Sequence, residues 1–195
     1  MREHGMLVKL DALIHNAPYY RFLAWRRIFF EEFGQELSPE TGIDFGRLVP
    51  RLAVHRLIRI EGMRTDPQFE EEILKKLTRY YVVYLNELES GDISDRMDKL
   101  TAFCKKNEWS ACLIVPQAEE KLHLPFNPLR CFDAVCPTYM GDMEQYQRAA
   151  KELGLPLTAC TLLLDGEEES DYAKTCGVGA VMTRDELEKA LNQEK

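Results

Sequence analysis

No stretch of this chain stays apolar for the roughly twenty residues that a helical membrane span requires. The first residues, MREHGMLVKLDAL, place charges inside the only short apolar segment near the start, which argues against a signal peptide and for a cytoplasmic protein. Excess basic charge is also missing. With 25 Lys and Arg against 33 Asp and Glu, the formal net charge is -8, and sequence-independent nucleic-acid binding, which works by counterion release at cationic side chains, is not expected. The six cysteines, Cys104, Cys112, Cys131, Cys136, Cys160 and Cys176, form no CxxC pair. In a chain long enough to build a real core they are expected to be buried, reduced thiols rather than a disulfide framework or a zinc site. A redox role stays open for Cys112 and Cys160, on strands near the expected cleft. GxGxxG, Walker A, HExxH and GxSxG are all absent. Ser94, Ser110 and Ser170 carry no sequence sign of a paired histidine.

What is present is an ordinary globular composition, 45% hydrophobic and 30% charged over 195 residues, and one unusual stretch. Met6 to His15, MLVKLDALIH, has the apolar run of a buried first strand interrupted by Lys9 and Asp11. Two residues apart on a strand means the same face. Opposite charges in such a place persist only by pairing with each other or with another polar group.

Pro18 then opens a helix that continues from Tyr19 to Phe33, with Phe22, Trp25, Phe29 and Phe33 at helical spacing, and Gly34 ends it. The segment QELSPETGIDFGRLVPR is turn-rich. Leu52 to Ile60 forms an amphipathic helix, and Asp66-Pro67 starts a third helix that runs to Leu88. From Ser90 onward helix and strand alternate. Ser94 caps a helix carrying Met97, Leu100 and Cys104; strands follow at Ser110–Val115, Phe132–Cys136, Thr158–Leu164 and Gly179–Met182. Helices are expected at Gly141–Leu153 and Glu168–Cys176, and a Thr183/Glu186 capping box opens the last one. This order predicts an α/β protein with a doubly wound parallel sheet and an all-helical insertion after the first strand, divided as 1–15 plus 90–195 and 16–89. Ligands of such sheets bind at the carboxyl ends of the strands, where Lys9, Asp11, Val115, Pro116 and Asp165 are expected.

The arrangement resembles the haloacid dehalogenase (HAD)-like superfamily, in its branch with a small helical cap that includes β-phosphoglucomutase and phosphoglycolate phosphatase. The resemblance is carried by Val8–Ile14, YYRFLAWRRIFFEEFG, CFDAV and TLLLDGEEESDYAKTCGVGAVM, and it covers nearly the whole chain. It implies a Rossmann-like core, a helical cap, magnesium and phosphoryl transfer. Several residues depart from the pattern so implied. Where the family has Asp-x-Asp-Gly, Lys9 stands at the nucleophile position, Asp11 at the acid position and Ala12 at the glycine. Val115, followed by Pro116, replaces the phosphate-binding Ser or Thr; Met140 stands at or near the lysine; Leu164 replaces the first of two metal-binding acids, leaving Asp165. No catalytic set is intact, the magnesium site is expected to be lost, and no other cofactor is implied. The reading that follows is a catalytically degenerate phosphatase homologue with a binding or regulatory role. The alternatives are altered chemistry in the same cleft, or weak phosphatase or phosphotransferase activity on a small phosphorylated metabolite.

Within that cleft, Lys9 is expected to sit where the metal would be, bridged to Asp11 and Asp165, and His15 is a further ligand candidate at the mouth. His55 with Arg51, Arg56 and Arg59 forms a basic helix face, either solvated or able to hold an anion. The stripe Phe22, Trp25, Phe29, Phe30 and Phe33 is expected to be the core of the helical insertion. The run from Tyr80 to Leu85 is wider than one helical face needs, so it faces either the sheet or a second chain, as a partner or a homodimer contact. The acidic run GEEESD, 166–171, is either a solvated loop or a feature that disfavours phosphate nearby.

Overall fold

Gly5–Lys9 (β1) is the middle strand of the sheet, and its residues alternate between two cores. Met6 and Val8 pack on one side and Leu7 on the other, all fully buried. The computed structural model describes residues 2–89, 91, 93 and 96–192. Five strands, β1, Ser110–Pro116 (β2), Ala134–Thr138 (β3), Cys160–Leu164 (β4) and Ala180–Thr183 (β5), are ordered β3-β2-β1-β4-β5, and every pairing is parallel. The central strands β1, β2 and β4 are buried apolar runs, as expected of strands covered on both faces, whereas the edge strands β3 and β5 are more open. The chain winds outward from β1 through β2 to β3, then returns to the other side of β1 for β4. The switch in strand order therefore lies between β1 and β4, where a crevice opens at the carboxyl ends.

Between β1 and Arg96 the described chain is helical: Ala17–Phe33 (α1), Pro39–Arg47 (α2), Pro50–Ile60 (α3) and Pro67–Leu85 (α4). Each has a proline in its first turn, where no amide donor is lost. Gly34, at φ 64°, closes α1 in the left-handed conformation the sequence suggested. Helix α2 was hidden in the turn-rich segment. Ser38 caps it by accepting from the Thr41 amide at 3.3 Å, and Gly46 lets it lie against α1, since a Cβ there would stand 2.5 Å from the Pro18 carbonyl oxygen. Helix α3 begins at Pro50 rather than Leu52, and α4 ends at Leu85 rather than Leu88.

Arg96–Lys106 (α5) and Arg184–Asn192 (α8) bury their apolar residues in the same core as Met6, Val8, α1 and α4; Gln145–Glu152 (α6) and Ser170–Thr175 (α7) bury theirs in the core that holds Leu7. Helices α6 and α7 are shorter than the sequence pattern suggested because turns precede them. The capping box of α8 forms as expected: the Thr183 amide donates to Glu186 at 2.7 Å, and the Glu186 amide donates to the Thr183 hydroxyl at 3.3 Å. The expected cap at Ser94 lies outside the described residues. Among the described residues no helix is long and apolar enough to cross a membrane.

One expectation for the helices changes and one open alternative narrows. Phe22, Trp25 and Phe29 are buried as the stripe predicted, whereas Phe30 is 64% exposed, because it follows Phe29 around the helix and points away from α2 and α4. Of the two surfaces open to the Tyr80–Leu85 run, the protein's own core takes most of it, while Val83 and Tyr84 stay half-buried. Tyr80, Tyr81, Val82 and Leu85 are buried in the protein's own core, which supplies the second surface that so wide an apolar face needs.

Candidate functional site

The strand end is shorter than the sequence implied. β1 stops at Lys9, and Leu10–Leu13 forms a 3-10 turn in which the Asp11 carbonyl accepts from the Ile14 amide at 3.2 Å. Lys9 and Asp11 are thus not same-face neighbours on one strand. Each turns to a different partner.

Lys9 donates to Glu169 at 2.5 Å, not to the two aspartates, because Glu169 comes from the loop before α7 and is itself held by the Tyr146 hydroxyl of α6. The cation between the aspartates is Arg21, from the second turn of α1. One guanidinium nitrogen reaches Asp11 at 3.1 Å and another reaches Asp165 at 2.6 Å. The Tyr81 hydroxyl of α4 donates to the remaining oxygen of Asp11 at 2.5 Å. Both oxygens of Asp11 are therefore engaged, one by α1 and one by α4.

Three carboxylates and two cations thus meet in one place, and the Arg21 and Asp11 side chains are each only 6% exposed. Burial opposes charge on Arg21, but Asp165 and Asp11 outweigh it and hold the guanidinium more firmly protonated than in water. Burial likewise works against the Lys9 ammonium and is overcome by Glu169 and then Asp11, so its pKa rises. Asp165 moves the opposite way. Desolvation would raise its pKa, but Arg21 and Lys9 prevail and hold it below its ordinary value, with a smaller contribution from Arg184, whose guanidinium also donates to the Ile14 carbonyl at 3.2 Å. Burial, and then Asp11, push the Tyr81 phenol well up, so it stays a donor. Charges this far from water are retained only when they are paired; here both terminal nitrogens of Arg21 are used, while its buried Nε finds no partner.

Beside the cluster lies a cavity of about 30 Å³, lined by Lys9, Asp11, Tyr81, Val115, Met140 and neighbouring residues, room for one or two waters. Val115 and half-buried Met140 form its apolar wall. Leu164 is not in it: its side chain is fully buried on the other face of the sheet, among Leu162, Tyr146 and Ala173. His15 is exposed and takes no part in the cluster. Among the described residues no group of three His, Cys, Asp or Glu side chains is placed to hold a metal ion. Cys112 and Cys160 are buried thiols, and desolvation pushes them up to about 12 and about 11, so neither supplies a thiolate at neutral pH.

Around the site, His55 pairs with Glu70 at 3.2 Å, and Arg51 binds Glu71 at 2.7 Å and the Gly141 carbonyl at 2.8 Å. The basic face of α3 is therefore partly neutralised, and Arg51 ties α3 to the turn after β3. Arg21, Tyr81, Tyr146 and Glu169 were not singled out in the sequence as site residues. The one available signal was the need for a countercharge: two aspartates at adjacent strand ends require a cation, and α1 begins only a few residues after Asp11.

No family model matches the sequence, and no curated protein is significantly similar to it. Solved structures do match. β-Phosphoglucomutase from Clostridium difficile superimposes with a TM-score of 0.61 at 19% identity, covering 99% of this chain and 93% of its own. A hydrolase from Pseudomonas syringae gives 0.65 at 14% identity over 98% and 99%. CbbY from Rhodobacter sphaeroides, solved in complex with phosphate, gives 0.57 at 16% identity over 93% and 85%. Sheet order, the helices between β1 and β2, and these superpositions agree that the chain has the fold of the HAD-like hydrolase superfamily.

Proposed function

We propose that this protein is a catalytically silent relative of the phosphatases and phosphomutases whose fold it shares, kept for binding or regulation. The observation that carries this reading is the guanidinium of Arg21 between Asp11 and Asp165. It stands in the crevice where such a sheet takes its ligand.

Magnesium does not fit the residues present. It requires an octahedron of oxygens, whereas the position of the family's first carboxylate is an ammonium, Leu164 points into the core, and the two remaining aspartates already share a cation. Asp11 is also spent. With one oxygen held by the Arg21 cation and the other by the Tyr81 hydroxyl, the Asp11 carboxylate is stabilised in its charged form and is a weak base, which weighs against altered acid–base chemistry in the same place.

Under this reading, residues 16–89 are a helical cap that has become fixed on a core of residues 1–15 and 90–195. Arg21 and Tyr81 tie it down at Asp11, Arg51 ties it at Gly141, and the Thr78 hydroxyl, accepting from the Met140 amide at 2.9 Å, ties it at the turn after β3. A lid that exchanges substrate would not be anchored so often through buried polar groups.

The test is p-nitrophenyl phosphate turnover with added magnesium, on wild type and on Lys9→Asp/Arg21→Ala. Wild type is expected to show none and no phosphoenzyme. Magnesium-dependent turnover or a trapped acyl phosphate in wild type contradicts the proposal; activity gained only by the double variant supports it.

A further inference from the structure

A second cavity lies a short way along the same edge of the sheet and shares no lining residue with the first. It measures about 410 Å³ and is formed by Lys75, Lys76, Thr78 and Arg79 of α4, Gln117, Ala118 and Glu119 after β2, and Tyr139 after β3. That is the size of a small-molecule site. In a chain of net charge -8 the lining itself carries three cations and one carboxylate, so cationic side chains gather around a concave surface.

The polar groups divide into spent and available. Lys76 is paired with Glu32, Arg79 with Glu120 at 2.5 Å, and the Thr78 hydroxyl is used by Leu74 and Met140. The Lys75 ammonium, the Gln117 amide, the Tyr139 hydroxyl and the Glu119 carboxylate make no side-chain hydrogen bond or ion pair among the described residues. The aliphatic stems of the two lysines, Ala118 and the Tyr139 ring supply apolar wall between them.

We propose that this cavity binds a small organic anion. Lys75 takes its carboxylate or phosphate, with Gln117 and Tyr139 donating to the same oxygens, and Glu119 accepts from a hydroxyl or ammonium at the ligand's other end. The site does not depend on the silence of the Arg21 cluster, because the two sets of residues are separate. It gives the fold a ligand position outside the filled crevice.

The experiment is an amide NMR titration of the full chain with inorganic phosphate, glycerol 3-phosphate and L-serine. Expected are saturable shifts at Lys75, Gln117, Ala118 and Tyr139, with Lys9, Leu10 and Asp11 unmoved, and at least about a tenfold weaker Kd in Lys75→Glu, equal to about 1.4 kcal/mol. Lys75 is exposed, so this variant is expected to fold; Gln117→Ala, also exposed, provides a second, smaller weakening. Tighter binding of glycerol 3-phosphate than of serine assigns a phosphate ester, and the reverse assigns a carboxylate. Shifts centred on Lys9 and Asp11, no shift with any probe up to about 10 mM, or unchanged binding in Lys75→Glu each overturn the proposal.

Discussion

Two places on the carboxyl edge of this sheet use the same kinds of side chain to opposite effect. At the β1/β4 crevice, Arg21, Lys9 and three carboxylates are buried together, and the remaining space is about 30 Å³. Beyond β2 and β3, Lys75, Lys76 and Arg79 stand around about 410 Å³ with part of their hydrogen-bonding capacity unused. The difference lies in where countercharge comes from. In the crevice it is supplied by the chain itself, from helices inserted after β1, so the charges act as a clasp. Along the outer edge it is supplied only in part, which leaves an electrostatic demand for something else. A fold normally described by its crevice has here placed its structural charge in the crevice and its accessible charge beside it.

The strongest way to test that division is to remove Arg21. Arg21→Met keeps the stem and deletes the guanidinium, leaving Asp11 and Asp165 buried at adjacent strand ends without their shared cation. Breaking a buried pair in this manner costs about 3–5 kcal/mol, read as a fall in the urea midpoint. Removing one of the stranded carboxylates as well, in Asp11→Asn/Arg21→Met, should return part of that loss, because the penalty belongs to the uncompensated charge. If Arg21→Met is as stable as wild type, the cluster is not a clasp.

Acid should loosen the same clasp by a smaller amount, since protonating Asp165 leaves Arg21 its bond to Asp11. The folded pKa of Asp165 lies below its ordinary value of 3.8 because Arg21 and Lys9 outweigh its burial. A depressed carboxyl contributes stability that is complete above the unfolded pKa and is lost as pH falls through the folded one. Wild type should therefore exceed Asp165→Asn by a constant margin from neutrality to about pH 5, and the margin should close from about pH 4 downward. A margin that instead closes between about pH 6 and 8, the titration range of histidine, would show that some other group controls the cluster.

Much of the architecture could be read before the structure, and the reasons are local. Apolar runs bounded by turns marked β2 and β4, Gly34 marked the end of α1, and the Thr183/Glu186 spacing marked the start of α8, because each depends on residues close in sequence. Asp11 and Asp165 were also legible as a pair through the resemblance of their flanking segments. Their partner was not. Arg21 sits beside Phe22 in a helix whose periodicity reports which face is buried, not which distant charge lies under it, and periodicity gave Arg21 no distinction from Arg26 or Arg27. Glu169 was lost in the run GEEESD, where only the third of three glutamates turns inward, to Lys9 and Tyr146. Helix α2 was missed because Gly42 and Gly46 lower helix propensity, even though Ser38-Pro39-Glu40 offered a starting signal. The Lys9–Asp165 bridge failed for a related reason: assigning a salt bridge from sequence fixes which charges are near one another, but the shape of the turn after β1 decides which pairs form.

The smallest expected effect is the most informative about the comparison. Arg79 and Glu120 form a pair at 2.5 Å, shorter than either bond of Arg21, and on distance alone it would rank as the stronger contact. The Arg79 side chain, however, is 55% exposed. Water solvates the guanidinium in the folded and unfolded states, holding the pair together costs side-chain entropy, and salt screens what attraction is left. Arg79→Ala should leave the unfolding midpoint where it is, at low salt and at high salt alike. The same substitution removes one cation from the rim of the open cavity without touching Lys75, so any weakening of anion binding should be smaller than that of Lys75→Glu and should fade with added salt. A midpoint that drops in Arg79→Ala as far as in Arg21→Met would mean that burial is not what separates the two regions, and the assignment of one as clasp and the other as ligand surface would fall with it.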